Sequence, residues 1–166
     1  MSSLIRFESR RVGPIEVLAE DVLTFEPLPG FPNRTRFVLM EHADASEMAW
    51  LVSLDDPDLA FVVANPWTFF PSYDPPVSKA HLSGLGIEKR EEVEILCLVT
   101  LDGKSIHLNL VAPLLINAST RRALQVVSDD RRYTTRAPIP ALKSERAEGG
   151  STSRSESGGK TLPSSP

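Results

Sequence analysis

The stretch from Trp50 to Pro66, WLVSLDDPDLAFVVANP, constrains this chain more than any other. It runs apolar, then tightly acidic, then apolar again. Leu51, Val52 and Leu54 lead into Asp55-Asp56-Pro57-Asp58, and Leu59 to Ala64 follow as a nearly continuous hydrophobic run. Two short buried runs joined by a proline-fixed turn read as a β-hairpin or as a corner between sheets. Asp followed by Pro suits a type I turn, because Pro presets φ and an Asp carboxylate accepts the freed backbone N–H. Asn65-Pro66 closes the second run with another turn signal. Fourteen prolines among 166 residues leave few places for a long helix. Short strands between Pro, Gly and Asp clusters predict a mainly β domain.

The flanking sequence agrees. VGPIEVL, residues 12–18, and Val22 to Phe25 read as two short strands around a Glu20-Asp21 turn. EPLPGFPN, residues 26–33, holds three prolines and is an irregular surface connection, with Phe31 pinning it to the core. Thr35 to Glu41 alternates, with Phe37 and Leu39 on one face and Arg36, Val38 and Met40 on the other. His42 to Glu47 suits one helical turn, and Trp50 is assigned to the core. Four aromatic residues between Trp67 and Tyr73 sit among prolines, so they either cap an open end of the core or form an exposed docking patch.

SKAHLSGLG, residues 78–86, predicts a short helix with Ser78 as N-cap and Gly86 at the left-handed C-terminal position. Val93 to Leu101 has apolar residues on both faces, which predicts a central strand covered on both sides. Asp102-Gly103 signals a type I′ hairpin into Ser105 to Ala112, which Pro113 breaks or bulges before Leu114 to Asn117 continues. Ala118 to Ser128 fits either a helix capped by Ser119 or a strand over Leu124 to Val127. Residues 1–142 form one domain, and the Ser/Gly/Pro-rich tail 143–166 has too little apolar surface to offset its ordering entropy and is expected to be disordered.

Charge is unevenly placed. Residues 41–102 hold 12 acidic against 3 basic residues, whereas residues 103–142 hold 6 basic against 2 acidic. An acidic middle disfavours direct nucleic-acid binding and favours a basic protein partner, with plain solubility as the alternative meaning. Cys97 is the single cysteine, so no intrachain disulfide can form and a reducing cytoplasm is the expected compartment. The N-terminus lacks the apolar core of a signal peptide, and no window reaches the length of a membrane-spanning helix.

Catalytic patterns are weak. Asp55, Asp56 and Asp58 could offer carboxylate oxygens to a divalent cation, but Pro57 stiffens the loop and the other ligands of a calcium-binding loop are missing. His42, His81 and His107 are isolated, and Cys97 lies in a buried strand as an apolar filler. Neither a metal nor an organic cofactor is expected.

Two long motifs carry a resemblance. The central WLVSLDDPDLAFVVANP and the later NLVAPLLIN, residues 109–117, are similar to the two signatures of the flagellar assembly factor FliW family. VGPIEVLAEDVLTF, the Leu-Pro-Gly-Phe at 28–31, Phe70-Pro71 with Tyr73, and Gln125-Val126-Val127 with Tyr133, Arg136 and Pro138 extend it over about residues 7–138. Gly13-Pro14 stands where the family usually has Phe-Gly, and Ala137 where a His is common. The resemblance implies a compact antiparallel β-barrel-like domain without enzymatic activity and favours strand over Leu124 to Val127; one or two short helices and a monomer when free are also expected. It also implies two partners, flagellin and the RNA-binding translational regulator CsrA, with the factor holding CsrA away from flagellin mRNA until unsecreted flagellin competes for it. Asp55, Asp58, Phe70, Tyr73, Asn109 and Asn117 are the candidate partner contacts, since each lies at a turn or on an outward face in or near a family motif. For the two asparagines, backbone capping at the Pro113 bulge is the alternative role. The competing function is a small acidic β-barrel enzyme or ligand binder using the Asp55/Asp56/Asp58 cluster.

Overall fold

The protein is described here by a computed structural model covering residues 3–42, 47–75 and 77–139. Its strands are β1 (Leu4–Ser9), β2 (Gly13–Leu18), β3 (Leu23–Phe25), β4 (Arg36–Glu41), β5 (Met48–Ser53), β6 (Ala60–Ala64), β7 (Val93–Asp102), β8 (Ser105–Leu108), β9 (Leu114–Asn117), β10 (Arg122–Gln125) and β11 (Ala137–Pro138), with one α-helix, α1 (Lys79–Gly84). Strands β3 to β7 with β9 and β10 close a seven-stranded barrel, because β7 pairs with both β6 and β9.

The central stretch is a hairpin. β5 and β6 run antiparallel with Val52 opposite Ala60, and the acidic turn joins them. β7 has two partners on its second edge: β9 lies along Val93 to Leu96, and β8 along Val99 to Asp102. β8 ends at Leu108, four residues short of the expected Ala112, so residues 109–113 loop out between two halves of one interrupted strand and Pro113 marks only the far side of the break. The closing seam, β3 with β10, is parallel, with Arg122 opposite Thr24. That single parallel pairing departs from a purely antiparallel barrel.

Strand alternation gives this barrel two apolar faces. Phe25, Phe37, Leu51, Val63, Leu114 and Ile116 fill the interior, with Phe25 edge-on to Phe37 at 5.4 Å. The outer face is covered in three places. Hairpin β1–β2 lies over Val38 and Val52. Helix α1 and the turn after it set Leu82, Leu85 and Ile87 on Ile95, Leu115 and Leu124. The segment Phe69 to Tyr73, with Tyr133 and β11, covers Cys97, Val99 and Leu108. β7 is thus covered on both faces over Ile95 to Val99, as its sequence predicts, whereas Leu101, expected on the same buried face, is 47% exposed.

Several expectations change. The aromatic segment covers a flank of the barrel and does not cap its end. Trp50 is half-buried among the residues under the β1–β2 hairpin, stacked on His42 at 5.4 Å, and is not part of the barrel interior. The β7–β8 turn is centred on Gly103-Lys104, since Asp102 pairs with Ser105. Only Gly103 takes positive φ (63°), which is the II′ pattern and not I′. β10 begins two residues earlier than Leu124. β1 was not anticipated at all. The expected turn over His42 to Glu47 falls largely on residues 43–46, and the expected disordered tail on 143–166; both lie outside the described residues.

Candidate protein-interaction surface

The acidic turn is built from the inside outward. Ser53, fully buried at the end of β5, accepts hydrogen bonds at Oγ from the Asp55 and Asp56 backbone N–H groups, both at 3.0 Å. This folds the two carboxylates back over the barrel rim. Asp55 Oδ2 accepts from Thr35 N and Arg36 N at 2.9 Å each, and Oδ1 accepts from Arg36 Nε at 3.0 Å. Asp56 accepts from Asp58 N at 2.9 Å and from Arg34 Nη2 at 3.0 Å. Asp58 pairs with Arg10 at 2.7 Å, while Arg10 N donates to Pro57 O at 2.7 Å.

One loop thereby ties down the β1–β2 turn, the proline-rich connection and β4. The electrostatics follow. Partial burial pushes the Asp55 carboxyl up, but the N–H groups of Arg36 and Thr35 and the Arg36 guanidinium outweigh it and leave it below its ordinary value. Asp56 is lowered by the Asp58 N–H and by Arg34. The three carboxylates turn toward three different arginines and do not converge on a common point, so a shared cation would have to break all three pairs.

A second region lies on the flank. Tyr73 is buried and donates its hydroxyl to Leu110 O at 2.7 Å. Tyr133 packs edge-on against it at 4.8 Å, and the Tyr133 hydroxyl accepts from Asp74 N at 2.8 Å. Trp67 donates Nε1 to Tyr73 O at 2.8 Å while the residue stays 37% exposed. Arg132 lies over the Tyr133 ring at 5.1 Å and pairs with Asp130 at 2.7 Å. Asp74 stands between Arg90 at 3.5 Å and Arg132 at 3.8 Å. Beneath them Cys97 is inert: burial pushes its thiol up to about 12.

The six candidate residues fall in three places. Asp55 and Asp58 belong to the acidic turn, with Asp58 exposed. Phe70 is half-buried and Tyr73 buried on the flank. Asn109 is near them and holds the bulge, accepting from Val111 N and Ala112 N at 3.1 Å each. Asn117 is buried beneath α1, donating to Leu85 O at 2.8 Å and accepting from Ser119 N at 2.9 Å. The cluster of Asp74, Arg90 and Arg132 had no signal in the sequence, because residues so far apart meet only once the flank has folded. Around that cluster, Phe70, Tyr73 and Tyr133 were marked through their places in the family pattern.

The comparisons with known proteins agree with this architecture. Residues 6–139 match the family model described as FliW protein. The chain is 36% identical over 149 residues to a flagellar assembly factor FliW of Heliobacterium modesticaldum, covering 87% of this chain and 97% of that protein. It is 37% identical over 131 residues to one of Caldicellulosiruptor saccharolyticus, covering 77% and 86% respectively. A crystal structure of the flagellar assembly factor FliW superposes with a TM-score of 0.74 at 28% identity, over 81% of this chain and 96% of that one.

Proposed function

Since the chain belongs to the FliW family of flagellar assembly factors, we propose that it acts in the cytoplasm by binding two proteins in turn, flagellin and the RNA-binding translational regulator CsrA. Bound to CsrA, it keeps that regulator off flagellin mRNA. Unsecreted flagellin competes for it, so flagellin synthesis follows export. No bond is made or broken in this scheme; the protein contributes a rigid surface. Family membership across the whole barrel is the observation that carries the reading.

Two physical features support it. An acidic middle segment placed against a basic RNA-binding surface attracts that surface and repels RNA phosphates within a Debye length of about 8 Å. Much of the acidic turn is already neutralised by Arg10, Arg34 and Arg36. The excess that remains for a partner therefore comes from exposed residues such as Glu88, Glu91 and Glu94. The direct experiment is capture from a flagellated bacterial lysate on the immobilised full chain. Recovery of flagellin and CsrA supports the reading, and recovery of neither overturns it.

A further inference from the structure

Closure leaves the barrel without an edge strand, but β1 lies outside it and has one. Along an antiparallel strand the backbone N–H and C=O groups turn to one side and then the other at successive residues. Ala19 N donates to Ser3 O at 2.8 Å, across the hairpin, while Arg10 N donates away from it to Pro57 O at 2.7 Å. Between those two marks the alternation turns Ile5, Phe7 and Ser9 toward β2 and Leu4, Arg6 and Glu8 outward. Among the described residues, the outward N–H and C=O groups of Leu4, Arg6 and Glu8 have no hydrogen-bond partner, and all three residues are exposed.

The two sides of the hairpin are unlike. On β2 the outward position opposite Glu8 is Pro14, which has no N–H to give and blunts that edge. β1 has no proline, so its row of donors and acceptors is unbroken up to Arg10, where the β5–β6 turn takes over through Pro57. Its side chains alternate as well: Ile5 and Phe7 are half-buried on the barrel side, and Arg6 and Glu8 stand in solvent. Arg6 is paired with Glu16 at 2.7 Å, whereas Glu8 has no ion pair among the described residues.

We propose that the outer edge of β1 is completed by an extended segment of a protein partner, which adds to the hairpin as a third strand. Its backbone bonds Leu4, Arg6 and Glu8, every second side chain turns toward the barrel beside Ile5 and Phe7, and a Lys or Arg lies next to Glu8. Only an extended chain answers a row of N–H and C=O groups at strand spacing. A second copy of this chain is a poor occupant. Two β1 strands joined about a two-fold axis would set both barrels under one sheet with hairpin centres about 10 Å apart, closer than two barrels can stand. The assignment rests on the protein-binding function proposed above and adds the place and the mode of contact.

The test is amide exchange read residue by residue by NMR on the full chain, alone and with purified flagellin or CsrA. In one of the two complexes the amides of Leu4, Arg6 and Glu8 should slow at least about tenfold, and by more than those of Ile5 and Phe7, which β2 already bonds. Glu8→Pro removes one outward N–H and leaves the ladder to β2 intact, as Pro14 does on the other strand, and should weaken that partner at least about tenfold. Should Glu8→Pro disrupt the hairpin, seen as lost protection at Ile5 and Phe7 in the free chain, Glu8→Lys reverses the charge without touching the backbone and should weaken binding several-fold. Protection that rises with the chain's own concentration, with no partner present, would give the edge to a second copy and overturn the proposal. Binding of flagellin or CsrA that leaves exchange in β1 unchanged, or full affinity in a folded variant, overturns the edge assignment and leaves the proposed function standing. Binding of neither protein overturns both together.

Discussion

At the level of single residues, polar side chains bonded to backbone fix the turns and the bulge around the apolar core. One Asp55 carboxylate accepts from two backbone N–H groups and a guanidinium. Asp55→Ala leaves those N–H groups short of partners at the barrel rim and should cost about 1–3 kcal/mol in denaturant unfolding. Calcium or magnesium should leave the thermal midpoint of the native chain unchanged; a large rise abolished by Asp55→Asn would instead favour the metal-dependent alternative. The sign of the pH effect follows from Asp55, Asp56 and Asp130, all held below the ordinary carboxylate value. Their stabilisation is complete above the unfolded pKa of about 3.9 and is lost as pH falls through the lower folded values. Thermal stability should therefore begin to fall near pH 4 and keep falling below it, and Asp55→Asn should flatten that decline. Cys97, buried and with its thiol raised to about 12, should resist thiol reagents at neutral pH until the chain unfolds.

The elements differ in how plainly the sequence announced them. Helix α1 was legible because its signals are local: Ser78 accepts from His81 N, the His81 ring accepts from Ser78 N, and Gly86 follows at φ 72°. Ser78→Ala should cost about 1 kcal/mol. The β5–β6 hairpin was legible because two apolar runs flank an acidic proline turn. β1 left a weaker trace: Ile5 and Phe7 alternate with Arg6 and Glu8, but over one short segment of a hairpin that stands outside the barrel and leaves much of itself in water. The parallel β3–β10 seam was invisible for a different reason, since closure pairs residues nearly a hundred apart and leaves no local trace. The candidate contacts show the same divide. Turns and alternation singled out Asn109 and Asn117, but could not tell a side chain that meets a partner from one that secures its own backbone, as both do here. Because β1–β2 pairs only with itself, its amides should exchange with solvent faster than those of β5, β6 and β7, which hydrogen-exchange mass spectrometry will resolve.

Taken whole, the molecule is a closed barrel whose outer face is shielded by a hairpin, a helix and an aromatic flank, each with its own apolar cluster. Under the proposed function, the partners of such a body meet a surface already formed, the usual case for preorganised complexes. On that view competition between partners needs no chemistry and no refolding. Titration calorimetry of the purified full chain with CsrA, followed by addition of flagellin, examines this directly. Saturable binding of CsrA that flagellin displaces, with no change in either protein's mass, is the expected result. Failure of the folded chain to bind either protein contradicts it.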